Sequence, residues 1–278
     1  MRGVDRRTGL PWRNRVTLWP SWGRCLAILP LALALVPCLI WTPPAQADDL
    51  HVMTERYPPF SYQVDGEPRG FCVDLVRRIL DRLGLEDTEI IFYPWARAYR
   101  ALQEEDGRVL FPLSRSPARE HLFRFVGPVF EDTLYFYARR GAELEIASLD
   151  DARRVGAIGV TRDDFYHQFL AARGFTNLDV STCQAHDFRK LAQGRVDLVP
   201  MGEKALAQFV GSIDGLDPAM FERVGPPVHT SGVYIGFSRS TPDSVLRAWR
   251  QALDDLKAAG VYDAVMNRYF PPADNSRP

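Results

Sequence analysis

The segment Val109 to Glu120, VLFPLSRSPARE, sets an arginine where it can grip an anion. Val109, Leu110, Phe111 and Leu113 read as a buried strand. Ser116-Pro117 then reads as a helix start. Serine is a good N-cap, and proline suits the first helical position because its missing N–H costs nothing there. A helix start carries unpaired N–H groups and a partial positive charge, so it attracts anions. Arg119, on the first turn, can offer two parallel hydrogen bonds to a carboxylate or phosphate. The same residues also fit an ordinary capped helix with a solvated arginine, so the choice rests on what surrounds them.

Signals for other chemistry are absent. The chain has no G-x-S-x-G elbow, no H-E-x-x-H and no P-loop pattern. Its five histidines, His51, His121, His167, His186 and His229, lack paired spacing. No metal or cofactor is expected.

The first 47 residues differ from the rest. They hold six arginines, then the apolar run Cys25 to Trp41, then Ala45-Gln46-Ala47. That order describes a secretory signal peptide, with a mature start at Asp48. The apolar run is short for a membrane span and is broken by Pro30 and Pro37. Removing the leader takes six arginines and one acid from the 34 basic and 35 acidic residues, leaving 28 and 34 and a net charge of −6. That balance argues against nucleic acid and anionic membranes as partners. Only Cys72 and Cys183 remain, far apart and without metal-like spacing. Two buried free thiols are expected, although export would permit a disulfide.

The elements that must position Arg119 alternate. His51 to Met53 reads as a first strand, followed by the aromatic loop Tyr57-Pro58-Pro59-Phe60, which two prolines keep from being a helix. Asp65-Gly66 marks a hairpin tip. Gly70 opens a helix to Leu83, with Phe71, Leu75, Ile79 and Leu83 on one face. A strand at Glu89 to Tyr93 and a helix from Pro94 precede Val109. A second unit follows Arg140-Gly141, with strands at Val155–Val160, Leu178–Val180 and Val196–Met201. Helices are expected between these strands, and from Glu203 to Val210. After Gly225-Pro226-Pro227 come a strand at Val233–Ser238 and a long helix carrying Val245, Leu246, Trp249, Leu253 and Leu256. This β-α alternation predicts an α/β protein of two lobes with largely parallel sheets.

Several segments resemble the periplasmic solute-binding proteins of ABC transporters, in the polar amino-acid class. They are Tyr57-Pro58-Pro59-Phe60, Gly70-Phe71-Cys72-Val73-Asp74-Leu75, Ser116-Pro117-Ala118-Arg119-Glu120, Gly194-Arg195-Val196-Asp197 and Gly260-Val261-Tyr262-Asp263. They stand in the family's order across the whole mature chain. The resemblance implies lobes of residues 48–137 plus 233–278 and of 138–232, joined by crossing strands at Thr133–Ala138 and Val233–Ser238, with the ligand in the cleft. It gives Arg119 the ligand's α-carboxylate, with Ser114 supporting the same group and Thr161 closing from the other lobe. Tyr57 and Trp95 fall where family aromatics sandwich the ligand side chain.

One position departs from the pattern. Gly202 stands where the family usually has an aspartate that pairs with the α-ammonium. Glu203 is a candidate substitute, though it also suits the first turn of the next helix. Arg97 is a candidate second anion contact. The expected protein is therefore an exported, monomeric binder of a small carboxylate or amino acid, non-enzymatic and working with a membrane permease. Two alternatives stay open. One is a periplasmic dehydratase of the cyclohexadienyl type, using Glu203 or Glu55 as the acid. The other is a sensory domain acting in trans.

Overall fold

A computed structural model describes residues 50–271. The expected leader lies outside these residues. Among them no helix is long and apolar enough to cross a membrane.

The first lobe opens with β1 (His51–Thr54), the hairpin β2 (Tyr62–Val64) and β3 (Glu67–Arg69), and α1 (Phe71–Arg82). The hairpin closes through Asp65 and Gly66, both left-handed at φ 52° and 84°, as its two-residue turn requires. β4 (Ile90–Phe92), α2 (Trp95–Glu104) and β5 (Arg108–Ser114) follow, and β1 pairs in parallel with both β4 and β5. The chain then enters β6 (Phe123–Arg139). The second lobe holds α3 (Leu149–Ala152), β7 (Ile158–Thr161), α4 (Phe165–Ala171), β8 (Leu178–Ser181), α5 (Gln184–Ala192), β9 (Val199–Gly202) and α6 (Leu206–Gly211). β7 and β8 pair in parallel. β10 (Phe221–Ser238) returns, and α7 (Asp243–Ala258) and α8 (Val261–Tyr269) close the chain.

β6 and β10 are the crossing strands, and they are far longer than the sequence suggests: 17 and 18 residues. At about 3.3 Å per residue each spans more than about 50 Å. They pair antiparallel with each other along their length, with register shifts between Val224 and His229 and between Val233 and Ile235. The sheet order β4-β1-β5-β10-β6-β9 thus runs from one lobe into the other.

Apolar faces hold the helices in place. Phe71, Leu75, Val76, Ile79 and Leu80 of α1 are all buried, as are Val245, Leu246, Trp249, Leu253 and Leu256 of α7. Trp249 meets Phe237 of β10 edge-on at 5.1 Å. Each such side chain contributes about 1.5–3 kcal/mol on burial, more than helix propensity supplies per residue.

Gly70 ties α1 to the aromatic loop. Its φ is 122°, and a Cβ there would lie 2.4 Å from the Phe60 carbonyl oxygen. That oxygen accepts from the Cys72 N–H at 2.9 Å. Gly70→Ala is therefore expected to destabilise the protein by about 2–4 kcal/mol through backbone strain and a displaced loop. A lower urea midpoint at unchanged slope would register it; an unaltered midpoint would refute it.

Candidate functional site

A cavity of about 80 Å³ lies where the carboxyl ends of β1 and β5 face those of β7 and β9. Ligands of open α/β sheets sit beyond these strand ends. One water needs roughly 10–15 Å³ on this measure, so the cavity admits a ligand of several heavy atoms. The first lobe lines it with Glu55, Tyr57, Trp95, Ser114 and Arg119. The second lobe supplies Thr161, Asp164, Tyr166 and Gly202, and β6 contributes Asp132.

Arg119 is fully buried. Its Nη1 donates to the Ser114 carbonyl at 3.0 Å, its Nε to Gln168 Oε1 at 2.9 Å and its Nη2 to the Asp163 carbonyl at 3.3 Å. Its guanidinium lies 5.0 Å from the Tyr99 ring centre and 5.5 Å from that of Trp95. Three of the five N–H bonds a guanidinium carries are thus paired with Gln168 and two backbone carbonyls, and the Tyr99 hydroxyl is a further partner, leaving at least one N–H bond for an anion. Burial pulls the Arg119 pKa below its ordinary value, and a bound carboxylate would offset that cost.

The element that presents Arg119 is a turn and not the expected helix. No helix begins at Ser116; the Arg119 N–H bonds back to the Ser116 carbonyl, and the Leu122 and Phe123 N–H groups bond to the Arg119 carbonyl. The chain enters β6 at Phe123, leaving no room for helical turns. The Ser116 hydroxyl is buried without a hydrogen-bond partner among the described residues, so it does not cap. An anion at this place would meet the guanidinium, with no helix N-terminus behind it.

Both lobes touch around the cavity. Asp163 adopts a left-handed φ of 59°, costly for a non-glycine residue, and its carbonyl accepts from both Arg119 and Gln168. Gln168 Nε2 also donates to the Tyr99 hydroxyl at 3.3 Å. On another side the Tyr57 and Tyr166 hydroxyls lie 3.2 Å apart, and Tyr166 accepts from the Gly202 N–H at 3.0 Å.

Two carboxyls, those of Glu55 and Asp164, feel the Arg119 charge, and the Asp132 carboxyl lines the same cavity. Burial is the main cause that raises Glu55 to about 8, Asp164 to about 7 and Asp132 to about 6. Asp164 adds its charge to the rise at Glu55, while Arg119 opposes it. Asp164 is the N-cap of α4 and accepts from the His167 N–H at 2.7 Å. Thr161 gives its hydroxyl proton to Asp187 Oδ2 at 2.8 Å, which leaves lone pairs on the Thr161 oxygen.

Of the sequence candidates, Arg119, Ser114, Thr161, Tyr57 and Trp95 come together around the cavity. Glu203 and Arg97 do not. Glu203 is exposed and pairs with Arg223 at 3.1 Å, and α6 starts three residues later than a first-turn role would need. Arg97 is exposed and lies over the Tyr93 ring at 4.5 Å, because its place on α2 turns it from the buried face of Trp95, Ala98 and Tyr99. Cys72 is buried, whereas Cys183 is exposed, and both are free. Sequence reasoning missed Asp132, Asp164, Tyr166 and Gln168. In the sequence, Thr161-Arg162-Asp163-Asp164 reads only as a helix-capping signature, and no local pattern marks Asp132.

Trp95 is 7% exposed, and its indole N–H has no hydrogen-bond partner among the described residues. A buried donor of this kind in a cavity wall suits a ligand acceptor. Trp95→Phe should weaken a carboxylate ligand about 5-fold, the worth of roughly one hydrogen bond, in calorimetric titration. Equal affinity would show that the indole N–H takes no part.

This fold and cleft define a two-lobed α/β protein like the periplasmic binding proteins. The chain belongs to the bacterial extracellular solute-binding proteins, family 3, whose profile matches residues 50–272. Comparison with curated protein sequences returned no match. Among solved structures, a histidine kinase sensor domain with similarity to periplasmic binding proteins is 23% identical with a TM-score of 0.71, over 80% of this chain and 96% of that one. The substrate-binding protein of an amino acid ABC transporter is 19% identical, TM-score 0.66, over 80% and 100%. An ancestral amino acid-binding protein, a precursor of cyclohexadienyl dehydratase, is 20% identical, TM-score 0.65, over 80% and 94%. At these identities the likeness concerns the fold.

Proposed function

We propose that this chain is an exported, monomeric solute-binding protein that captures a small carboxylate-bearing ligand, an amino acid or related acid, for the permease of an ABC transporter. The observation that carries the reading is Arg119: a fully buried guanidinium in the cavity wall with at least one N–H bond left for an anion. In this reading residues 1–47 are a cleaved leader and the protein works in the periplasm. The lobes are 48–137 plus 233–278 and 138–232, and closure over the ligand is the state a permease reads. The crossing of β6 and β10 supports hinge motion at those boundaries.

A second reading, a dehydratase of the cyclohexadienyl type, draws support from Glu55. Its carboxyl lines the same cavity and is pushed up to about 8, so it holds a proton at neutral pH and can serve as a general acid. A thermal-shift screen of the mature protein against amino acids, dicarboxylates and prephenate-like acids separates the two. Stabilisation with the acid recovered unchanged in mass spectrometry supports binding. Conversion of a prephenate-like acid supports the enzyme and removes the first reading.

A further inference from the structure

Gly202 ends β9 in the cavity wall, and its missing side chain makes room for an acid from another strand. A Cβ built on Gly202 would lie 1.8 Å from Asp132 Oδ2, so the carboxylate of β6 occupies the space a side chain at 202 would take. The two carboxylate oxygens of Asp132 are differently placed. Oδ1 accepts from the Thr133 N–H at 3.0 Å and the Lys204 N–H at 3.4 Å, which fixes the group's orientation. Oδ2 receives no protein hydrogen bond among the described residues.

We propose that Asp132, reaching in from the crossing strand β6, holds an ammonium group of the ligand, so that the ligand class is the amino acids and not simple carboxylates. The inference rests on the binding reading above and deepens it.

Three further observations agree. Thr161 offers lone pairs and no proton, because its hydroxyl proton is committed to Asp187; that suits a ligand donor. Of the three cavity acids, Asp132 is the least raised, to about 6, so it is the one ionised for the most part at neutral pH. The groups facing it set that value: burial raises it, the Thr133 and Lys204 N–H groups and the Lys204 charge lower it, and Glu203 raises it. The anion and cation ends are also distinct. Arg119 is bound to Gln168 and Asp163, whereas Asp132 sits against Gly202, whose N–H is held by Tyr166.

The test uses calorimetric titration of the mature protein with the twenty L-amino acids and with counterparts in which an ammonium is replaced by a hydroxyl. At least one amino acid should bind about 100-fold more tightly than its hydroxy counterpart, since the site's acid would otherwise stay unpaired. Asp132→Asn should erase that preference, weakening the amino acid about 100-fold and the hydroxy acid by less than about 3-fold. Asp132→Ala combined with Gly202→Asp, which returns the acid from the other strand, should recover at least about 10-fold over Asp132→Ala alone. Equal binding of amino and hydroxy acids, binding of carboxylates but no amino acid, or an Asp132→Asn variant with unchanged amino-acid affinity each overturns the proposal. Failure of the underlying reading looks different: Arg119→Ala would then leave carboxylate binding intact whatever happens at Asp132.

Discussion

Arg119→Ala is expected to lower affinity for a carboxylate ligand by about 2–5 kcal/mol, roughly 30- to 4,000-fold, and so to abolish the ligand-induced rise in melting temperature. The size follows from burial. The guanidinium is fully enclosed and is the one guanidinium or ammonium group lining the cavity among the described residues. Part of the loss comes from the lobes themselves, since Arg119 also bonds to Gln168 and to the Asp163 carbonyl across the cleft. Two controls separate these contributions. Arg119→Lys keeps the charge but not the planar fork, so it should bind more weakly than wild type and more tightly than Arg119→Ala. Gln168→Ala removes two cross-lobe contacts, to Arg119 and to Tyr99, and leaves the guanidinium, so its cost should be about 1–2 kcal/mol. Removing Arg119 also leaves a cavity and strips a partner from the Ser114 and Asp163 carbonyls and from Gln168, so the melting temperature of the unliganded variant is measured beside its binding to separate lost stability from lost affinity. Carboxylate affinity within about 3-fold of wild type in Arg119→Ala would refute the anchor.

The unliganded protein should open as the pH rises. Glu55, Asp164 and Asp132 have pKa values of about 8, 7 and 6 when the lobes enclose them, all raised chiefly by burial. In an open cleft water reaches these groups, and they titrate near ordinary carboxylate values of about 4. Between about pH 4 and pH 8 the closed form therefore binds more protons than the open one. The contribution of these acids to closure is fully present below about pH 4 and is lost as the pH climbs through about 6 to 8. Arg119 offsets part of the effect, for it lowers the values of Glu55 and Asp164. Small-angle X-ray scattering should give a larger radius of gyration at pH 8.5 than at pH 5 without ligand. Glu55→Gln, which removes the most strongly raised acid, should flatten the upper part of that change. A radius independent of pH would contradict the account.

How much of this was legible beforehand depends on the range of the interaction. The faces of α1 and α7 could be read because Phe71, Leu75 and Ile79, or Leu246, Trp249 and Leu253, recur at helical spacing, and burial follows that spacing. Arg119 was legible as a candidate anion contact and lies in the cavity wall, yet the element that carries it was not legible. Serine and proline before an arginine suit a helix start and a tight turn alike, and the nearness of β6 selects the turn. The length of β6 and β10 was hidden by glycine and proline. Gly225-Pro226-Pro227 reads as a break, whereas β10 runs through it and takes up the change in a register shift before His229, and β6 runs through Gly127-Pro128 in the same way.

The acids of the site were the least legible part. Glu203 had the right type next to the right place in sequence, but the chain leaves β9 there and carries it to the surface beside Arg223. Asp132 lies 70 positions from Gly202 and reaches it only because β6 and β9 pair, Leu134 against Gly202. A gap in one strand filled by a residue of its neighbour leaves no trace in local sequence. Gly202 itself was the sole pointer, and it pointed to something missing where the structure has a replacement.

The most direct test of the central claim is a crystal structure of the mature protein grown with the amino acid or other carboxylate that gives the largest thermal shift. The account predicts the ligand between the lobes, its carboxylate within about 3.2 Å of the Arg119 guanidinium nitrogens. A carboxylate bound away from Arg119, or a ligand seated outside this cavity, would contradict it.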